Sequence, residues 1–301
     1  MKIRVGSRGS KLALIQTQWV MDQLKAVNPK LEYEIKVIQT KGDLIQHISL
    51  DKIGDKGLFV KEIEQQLLNK SIDMAVHSMK DMPGQLPQGL TFASIPKRED
   101  ARDVLILKEG YDNLEDLPMG AKIGTGSKRR KYQLLQARPD LNVVSIRGNI
   151  DTRIKKIMTE GLDGIILAAS GVIRAGLDSH ISTYLSMDTM MPAPAQGALA
   201  IEIRSEDVAI AKMLESLKDK ETETQVAAER GFLEGINGSC HIPIGAYCQL
   251  EEENITLSGL YGNEEGTILI KKTMEGTAKE ARTLGLTLAS AILKEYNTYE
   301  R

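Results

Sequence analysis

The feature that most constrains the fold of this chain is a strand–loop–helix pattern that occurs twice. Residues 3–5 read as a short strand that runs into a Gly-Ser loop, and apolar residues at helical spacing follow from Lys11 to Val27. The same order returns at residues 121–127, followed by helical spacing from Lys128 to Ala137. Alternating strands and helices are typical of mostly parallel sheets with helices on both faces. Because the pattern restarts, we predict two similar α/β domains.

The strands further along each half also correspond. The alternating run 31–39 has its counterpart at 141–146, and the apolar run 72–77 has its counterpart at 163–169. Between the two strands of the first half, residues 57–69 carry apolar side chains on one helical stripe. The repeat therefore extends over the first two-thirds of the chain.

The last part of the chain follows a different pattern. Three antiparallel strands joined by acidic and Gly-Asn turns are predicted at 246–250, 254–261 and 267–274, with a closing helix from 277 to about 295. Charged or proline-rich joints lie at 96–100, 191–197 and 218–223. The predicted domains are 1–97 with 197–216 (domain 1), 102–192 (domain 2) and 218–301 (domain 3). Two crossings between the α/β domains predict a cleft, where ligands bind.

The composition is that of a globular protein and narrows the classes of partner. The 301 residues are 42% hydrophobic and 27% charged, and the formal net charge of −2 gives no overall attraction to nucleic acid or to an anionic membrane. No apolar run approaches the roughly 18 residues of a membrane helix. Two cysteines without a secretory signal predict free thiols in a reducing compartment. We therefore expect a cytoplasmic protein.

One candidate for acid–base chemistry directly follows a predicted strand. In the segment 76–83, Asp81 is the only carboxylate, and Ser78 and Lys80 are hydrogen-bond donors. The carboxyl ends of parallel strands form the usual ligand edge of an α/β sheet. A lone carboxylate there can act as a general acid or base, or stabilise a transient cation. An aspartate that binds backbone amides in a turn is an equal alternative.

A second candidate is the basic start of the predicted helix at Lys128. Ser127 suits the N-cap, and the free N–H groups of a helix start attract anions. Four consecutive cations, residues 128–131, oppose the helix dipole unless an anion offsets them. A solvated basic face is one alternative. A nucleic-acid surface is disfavoured because Tyr132 is the only aromatic residue between positions 121 and 153. Discrete carboxylates or phosphates fit better.

Arginines follow several other strand patterns. Arg8 lies in the first Gly-Ser loop, Arg147 and Arg153 flank Gly148, and Arg174 follows the strand that ends near residue 169. Each alone is more typical of a protein surface. Together they are expected of a site that holds several carboxylates with bidentate guanidinium groups.

Two loops complete the candidates. The glycine-punctuated loop 42–57 could bring Lys52 and Lys56 over a ligand as a lid, or could be merely mobile. Cys240 lies on a Gly-Ser loop between a helix and a strand, where covalent chemistry can reach it, although an unreactive loop cysteine is the alternative. The four histidines have no metal-ligand spacing, so no metal site is predicted.

Seven motifs resemble those of the porphobilinogen deaminase (hydroxymethylbilane synthase) family. They are KGLFVKEIE, VHSMKDMP, GTGSKRR, IRGNIDTR, IILAASG, PAPAQGALAIE and NGSCHIPIG, and the resemblance extends over essentially the whole chain. It implies a fold of two periplasmic-binding-protein-like (type II) α/β domains with a cleft between them. It also implies a small C-terminal α+β domain, an antiparallel sheet with helices, that carries a cofactor cysteine.

The resemblance also implies an activity and a cofactor. The family condenses four porphobilinogen molecules head-to-tail into the linear tetrapyrrole hydroxymethylbilane and releases ammonia, a step of heme biosynthesis. A dipyrromethane cofactor is held by a thioether, here to Cys240. By resemblance, Asp81 protonates the leaving amine, stabilises the azafulvene cation and manages the pyrrole protons.

Further residues match the family's binding positions. Cofactor binding is implied for Ser78, Lys80, Asp81, Thr125, Ser127, Arg129, Arg130, Arg147 and Gly148. Substrate binding is implied for Arg8, Ser10, Arg147, Arg153, Arg174 and Gln196. The mobile loop is implied to include Lys52, Lys56 and Phe59.

Three motifs depart from the family's usual pattern. Gly126 and Lys128 stand where Thr-Ser-Ser-Leu-Arg-Arg is more common, Ser239 and His241 replace a more typical Gly-Gly-Cys-Gln, and Pro194-Ala195 replace Val-Gly. Gly126 lacks a hydroxyl donor, and Pro194 is expected to stiffen a hinge. None of these changes removes a charge or the nucleophile.

A non-catalytic two-domain anion-binding receptor is the alternative function. It shares the implied fold, but such receptors are usually exported, and it leaves Cys240 and Asp81 without a role. We expect a monomer whose partner is the small molecule porphobilinogen, with neither nucleic acid nor membrane as a partner.

Overall fold

The computed structural model describes residues 2–44, 60–237 and 242–299. Their contacts divide the chain into two compact units. The first unit is Met1–Glu99 with Gly197–Glu223, and the second unit is Asp100–Gln196 with Thr224–Arg301. Four predicted site residues lie outside the described residues: Lys52, Lys56, Phe59 and Cys240.

Strands and helices alternate through most of the described chain. The strands are β1 (Lys2–Arg8), β2 (Glu32–Ile38), β3 (Met74–Ser78), β4 (Leu90–Phe92), β5 (Asp103–Leu107), β6 (Lys122–Gly124), β7 (Asn142–Val144), β8 (Gly164–Ala168), β9 (Thr183–Tyr184), β10 (Leu199–Arg204), β11 (Ile244–Glu251), β12 (Asn254–Gly262) and β13 (Leu269–Thr277). The helices are α1 (Lys11–Val27), α2 (Lys41–Leu44), α3 (Lys61–Leu68), α4 (Lys128–Ala137), α5 (Ile150–Thr159), α6 (Ala169–Arg174), α7 (Val208–Leu214), α8 (Lys220–Ile236) and α9 (Ala281–Tyr299). Within the described ranges, no helix is long and apolar enough to cross a membrane.

The first unit is built on a five-stranded sheet in the order β2-β1-β3-β10-β4. β1 pairs in parallel with β2 and β3, and β10 runs antiparallel between β3 and β4. One face of the sheet packs on α1 through a core that includes Val5, Val20 and Ile201. The other face packs on α3 through Ile63 and Leu67. The ends of β1 and β3 are thereby fixed between two helices.

The second unit repeats this plan in the sheet β7-β6-β8-β5-β9. β6 pairs in parallel with β7 and β8, and β5 runs antiparallel between β8 and β9. The likeness extends to single side chains. Asp73 accepts the backbone N–H of Arg4 at 2.8 Å, and at the equivalent place Asp163 accepts that of Lys122 at 2.7 Å. The predicted α/β repeat is therefore confirmed.

Both α/β sheets are mixed: four of the five strands in each run in one direction, in line with the prediction of mostly parallel sheets, and one strand in each, β10 or β5, runs against its neighbours. In each sheet, the pairs on one side are parallel and those on the other side are antiparallel. The two antiparallel strands, β5 and β10, enter directly after the joints at 96–100 and 191–197 rather than after a helix. A parallel direction requires a long crossover connection, and these joints do not supply one.

A three-stranded antiparallel sheet, β11-β12-β13, also belongs to the second unit, as the sequence pattern predicted. Phe232 on α8 and Leu288 on α9 pack on it around the buried Leu257. The two helices approach closely at Gly285, where a Cβ would lie 2.2 Å from the carbonyl oxygen of Ala228. The predicted fold class, two α/β domains and a C-terminal α+β domain, is what the described residues form.

Two predicted helices have the predicted ends. α1 spans Lys11–Val27 and α4 spans Lys128–Ala137, and each begins after a serine N-cap, as predicted for Ser127. α9 begins at Ala281 rather than 277, because a single 3₁₀ turn precedes it. Capping residues mark a helix start more sharply than apolar spacing does.

Candidate active site

A polar pocket lies in the first unit where β1 and β3 end. It has a volume of about 70 Å³, and its polar lining comes from Arg8, Ser10, Gln16, His77, Ser78 and Asp81. The two strands are parallel, so their carboxyl ends meet at one edge of the sheet. The structure therefore brings together four of the predicted residues, Arg8, Ser10, Ser78 and Asp81.

Hydrogen bonds from α1 fix two walls of this pocket. Ser10 caps the helix, and its Oγ accepts the backbone N–H of Ala13 at 3.3 Å. Gln16 faces the Ser78 hydroxyl with both amide atoms, Nε2 at 3.1 Å and Oε1 at 3.2 Å. The sequence reasoning missed Gln16. The sequence hint was a glutamine, a long amide side chain, among the apolar residues of α1. In the structure Gln16 is 4% exposed.

Asp81 ends a single 3₁₀ turn, Met79–Asp81, that directly follows β3. The turn is closed by a bond from the Met82 N–H to the Met79 carbonyl oxygen at 3.1 Å, and both methionine side chains are buried. Asp81 itself is exposed, and Lys80 is half-buried. A carboxylate on an anchored turn at the rim of a pocket can meet a ligand directly.

The basic start of α4 in the second unit is turned toward an acid that the sequence reasoning missed. Arg129 Nη1 donates to Asp103 Oδ2 at 2.6 Å, and Arg130 donates to Asp103 Oδ1 through Nε at 3.0 Å and Nη2 at 2.8 Å. Gln196 Nε2 donates to the same Oδ1 at 3.0 Å. Asp103, on β5, is the anion that offsets two of these cations, Arg129 and Arg130, while Lys128 Nζ lies 3.3 Å from Glu264 Oε1. In sequence Asp103 is one acid beside an apolar run, and only the fold brings it to α4.

This cluster of Asp103, Arg129, Arg130 and Gln196 is buried, and burial determines its electrostatics. The four side chains are between 0% and 6% exposed. Burial alone would raise the pKa of Asp103, but the charges of Arg129 and Arg130 lower that pKa well below its usual range. Asp103 therefore stays ionised and offsets one of the two guanidinium charges. The cluster keeps a net positive charge.

Two further arginines add positive charge beside this cluster. Arg153 Nε donates to the carbonyl oxygen of Gly148 at 2.7 Å. Burial, followed by the charges of Arg130 and Arg147, lowers the pKa of Arg153 to about 10. Like charges held together repel one another in the protonated form, and an anion among them removes that cost. This part of the second unit therefore has the charge distribution of a carboxylate-binding site.

The loop before α4 packs tightly. Thr125 is buried, and its Oγ1 accepts the backbone N–H of Ser127 at 3.3 Å. A Cβ at Gly126 would lie 2.9 Å from the carbonyl oxygen of Ile146, so the local backbone leaves no room for a side chain there. Arg174 ends α6 and is half-buried. Among the described residues, no group of three His, Cys, Asp or Glu side chains is placed to hold a metal ion.

The segment before β10 connects the arginine cluster to the C-terminal sheet within the second unit. The Met191 carbonyl oxygen accepts from Arg129 at 2.6 Å. Ala195 adopts a positive φ of 59°, and its N–H donates to Glu229 Oε2 at 2.6 Å. Glu229 Oε1 accepts the N–H of Cys248 at 2.9 Å. Glu229 was not predicted, because a buried glutamate in α8 has no sequence signal. Cys248 is a buried free cysteine in β11.

The donor set of the second unit fits a ligand with several carboxylates. Arg147 and Arg153 supply guanidinium groups, Thr125 and Ser127 supply hydroxyls, and Ser127 caps the free N–H groups of α4. A dipyrromethane with acetate and propionate side chains needs this chemistry. The residue predicted to anchor it, Cys240, lies outside the described residues.

Family models match nearly the whole chain. The model described as "Porphobilinogen deaminase, dipyromethane cofactor binding domain" matches residues 3–212, and "Porphobilinogen deaminase, C-terminal domain" matches residues 223–294. Among solved structures, a Salmonella typhimurium periplasmic binding protein with high arginine specificity aligns over 74% of this chain and 93% of that chain, at 15% identity and a TM-score of 0.39. A likeness this low bears on neither ligand nor activity.

Curated relatives match at high identity and full length. The porphobilinogen deaminase of Clostridioides difficile (strain 630) is 64% identical over 300 residues, covering 100% of both chains. That of Clostridium novyi (strain NT) is 55% identical over 99% of this chain and 100% of its own length. That of Brevibacillus brevis (strain 47) is 48% identical over 98% of this chain and 94% of its own length. The chain therefore belongs to the porphobilinogen deaminase family.

Proposed function

We propose that this chain is the transferase that condenses four porphobilinogen molecules head-to-tail into hydroxymethylbilane with release of ammonia. The observation that carries the proposal is the match to this family over the whole chain at up to 64% identity. The two units supply the groups that the reaction needs. The first holds an exposed carboxylate at a polar pocket, and the second holds a cluster with excess positive charge.

A dipyrromethane held by a thioether to Cys240 would supply the pyrrole carbon from which the chain of rings grows. In the second unit, the residues that would hold its carboxylates are Thr125, Ser127, Arg129, Arg130, Arg147 and Gly148. In the first unit, the assigned residues are Ser78, Lys80 and Asp81. Arg129 and Arg130 act largely through their joint charge, because Asp103 already occupies much of their hydrogen-bonding capacity.

Asp81 is the catalytic acid and base of this proposal. Its exposed carboxylate on the anchored turn after β3 protonates the leaving amine and takes up the pyrrole proton. Substrate binding is assigned to Arg8, Ser10, Arg147, Arg153, Arg174 and Gln196, the first five through direct contact with substrate carboxylates. Gln196 is fully buried against Asp103, so it serves by fixing the cluster. Lys52, Lys56 and Phe59 are assigned to the loop over the substrate.

The proposed domains are 1–97 with 197–216, 102–192 and 218–301, supported by the separate sheets in these segments. We also propose that the protein is a cytoplasmic monomer whose partner is the small molecule porphobilinogen, with no nucleic-acid partner. The net charge of −2 supports the last point.

Intact mass spectrometry combined with a product assay tests the function. Purified protein is expected to exceed its sequence mass by two linked pyrrole units, and to convert porphobilinogen to hydroxymethylbilane. Cys240→Ser should lose the excess mass, whereas Cys248→Ser, the matched control, should keep it. Bare sequence mass together with no product would instead favour the anion-binding receptor.

Asp81→Asn tests the catalytic assignment. The variant is expected to fold and carry the cofactor, with a turnover rate lowered about 10²-fold or more, as for loss of a general acid–base group. Asp22→Asn, at an exposed position on α1, is the control and should turn over normally. A normal rate for Asp81→Asn would remove this residue from the mechanism.

A further inference from the structure

A turn of the C-terminal sheet lies against α4, the helix whose start carries the arginine cluster. This docking turn, residues 263–268, connects β12 to β13. The Tyr132 hydroxyl on α4 donates to the carbonyl oxygen of Glu264 at 2.7 Å, and Lys128 Nζ lies 3.3 Å from Glu264 Oε1. Helix positions four residues apart lie on one face, so α4 presents both side chains to the turn.

Gly266 allows the docking turn to approach the ring of Tyr132. Its φ is +74°, in the left-handed region that favours glycine. A Cβ at this position would overlap the Tyr132 ring, so any other residue has to push the turn away from α4. Within the turn, the Asn263 side chain accepts the backbone N–H of Ile268 at 2.9 Å and donates to Thr267 Oγ1 at 2.7 Å. The turn is therefore held in shape by its own side chains, and it contacts α4 closely.

The docking turn is also bonded to the loop that carries Cys240. The N–H of Gly262, the residue before the turn, donates to the carbonyl oxygen of Pro243 at 3.2 Å. Pro243 is three residues after Cys240 in the sequence. Ile244, the next residue, begins β11 and pairs with Tyr261 on β12. A short series of contacts therefore connects the C-terminal end of the cysteine loop, through the docking turn, to α4.

A second attachment joins the same sheet to the same helix. The Ala246 N–H on β11 donates to the carbonyl oxygen of Pro192 at 3.0 Å, and the neighbouring Met191 carbonyl oxygen accepts from Arg129 at 2.6 Å. One attachment alone leaves a sheet free to rotate about it, whereas two separate attachments fix its orientation. Sites are accurate when the elements around them are locked in this way. The attachment at Arg129 is buried and the one at the docking turn is exposed, so the latter can be altered without opening the core.

The proposed function makes the relative position of these two elements important. The thioether to Cys240 would fix one end of the cofactor, and the start of α4 would hold carboxylates of its rings. A reacting group that is misplaced by about 1 Å can lower a rate by about 10²-fold. The cysteine loop and the start of α4 therefore have to keep a constant separation.

We propose that the docking turn is a positioning element that determines where the cysteine loop lies relative to the start of α4. Tyr132, Glu264 and Gly266 are its positioning residues. They act on the position of the bound pyrrole chain through the protein, without touching the reacting atoms. This role rests on the proposed function for its effect on turnover, whereas its effect on the relative position of sheet and helix can be measured without turnover.

Steady-state kinetics of two turn variants test the effect on turnover. The double turn variant, Tyr132→Phe/Glu264→Gln, removes one hydroxyl hydrogen bond and one partly exposed ion pair, and Gly266→Ala pushes the turn away from the ring. Both should lower kcat about threefold to tenfold. KM for porphobilinogen should stay within about twofold of the wild-type value, because no residue assigned to substrate binding is changed. If Gly266→Ala fails to fold, the double turn variant alone decides.

The matched control is Ser258→Ala/Arg282→Gln. It also removes one hydroxyl hydrogen bond, between Ser258 and Thr273, and one exposed ion pair, between Arg282 and Glu234, from the same C-terminal part of the second unit. Because the lost interactions match in kind, the Tm should fall by a similar amount in the control and in the double turn variant. The control should keep the wild-type kcat. A wild-type kcat in the turn variants, or an equal fall of kcat in the control, overturns the positioning role.

Spin-label distances give a readout that does not depend on activity or on the cofactor. In Cys240→Ser protein, whose other cysteine, Cys248, is buried, labels are placed at exposed positions as Gln136→Cys on α4 and Glu275→Cys on β13. The distance distribution between the two labels should be narrow, should broaden in the double turn variant and should stay narrow in the control. An unchanged distribution in the double turn variant overturns the positioning role. Failure of the wild type to make hydroxymethylbilane overturns the proposed function instead, and the distances then decide on the docking turn.

Discussion

Replacing Asp103 with asparagine removes the carboxylate that Arg129 and Arg130 share in the interior of the second unit. The carboxylate is fully buried and accepts from both guanidinium groups and from Gln196. Hydrogen bonds to charged groups contribute about 1.5–3 kcal/mol each to stability, so the sum over the bonds to Asp103 is an upper limit on the loss. The asparagine oxygen still accepts some of these hydrogen bonds. We therefore expect the free energy of unfolding to fall by about 3–5 kcal/mol, the usual cost of leaving a buried charge unpaired.

Thermal and urea unfolding at neutral pH measure this loss. At about 2–4 °C per kcal/mol, the Tm of Asp103→Asn should fall by about 6–20 °C. The matched control is Asp188→Asn, because that side chain is 100% exposed and lies 3.5 Å from Lys271. It should change the free energy of unfolding by less than about 0.5 kcal/mol. A loss below about 1 kcal/mol in Asp103→Asn would refute the argument that the buried cluster depends on this acid.

The same variant has a defined pH dependence. The pKa of Asp103 in the native protein is below its ordinary value, so its stabilisation is fully present above the unfolded-state pKa of about 3.9. It is lost as the pH falls through the native pKa. The gap in unfolding free energy between wild type and Asp103→Asn should therefore be constant from neutral pH down to about pH 5, and shrink below about pH 4. A gap that widens in acid contradicts the assignment.

Three smaller changes follow from local geometry. Ala195→Gly should stabilise the protein by about 0.5 kcal/mol, because the strain of the positive φ that it relieves outweighs the extra backbone entropy that glycine gives the unfolded chain. A fall in Tm would contradict this. Gly126→Ser should lower stability by about 1–3 kcal/mol although it adds the family's usual hydroxyl, since its Cβ meets the Ile146 carbonyl oxygen; an unchanged urea midpoint would contradict this. Arg129→Lys should cost about 1–3 kcal/mol, because an ammonium cannot reach both Asp103 and the Met191 carbonyl oxygen as the guanidinium does; an unchanged Tm would contradict this.

Sequence patterns predicted the structural features that depend on residues close together along the chain. α1 and α4 have their predicted ends because serine caps and apolar spacing act locally. The three antiparallel strands of the C-terminal sheet were predicted because alternation and turn residues are local too. The α/β repeat was visible for the same reason, since each copy begins with a strand, a small-residue loop and a helix.

The sequence could not predict contacts that depend on strand order. Asp103 meets Arg129 because β5 inserts beside β8, and nothing near residue 103 marks that position. Gln16 meets Ser78 across 62 residues of chain. The positive φ of Ala195 was equally hidden, because glycine is the residue that usually signals such a backbone. The run of cations at the start of α4 was visible in the sequence, whereas nothing there marked the buried acid that binds Arg129 and Arg130.

The position of β10 has a consequence for synthesis of the chain on the ribosome. β4 pairs with β10 at the edge of the first sheet, and β10 also covers the open side of β3. β10 is made roughly a hundred residues after β4, which at about 5–20 residues per second is a delay of about 5–20 seconds. Until then β3 presents an unpaired apolar edge of the kind that other strands join. The first unit therefore cannot finish folding when its segment Met1–Glu99 has been made, and the nascent form of this segment is where chaperone binding or aggregation should concentrate.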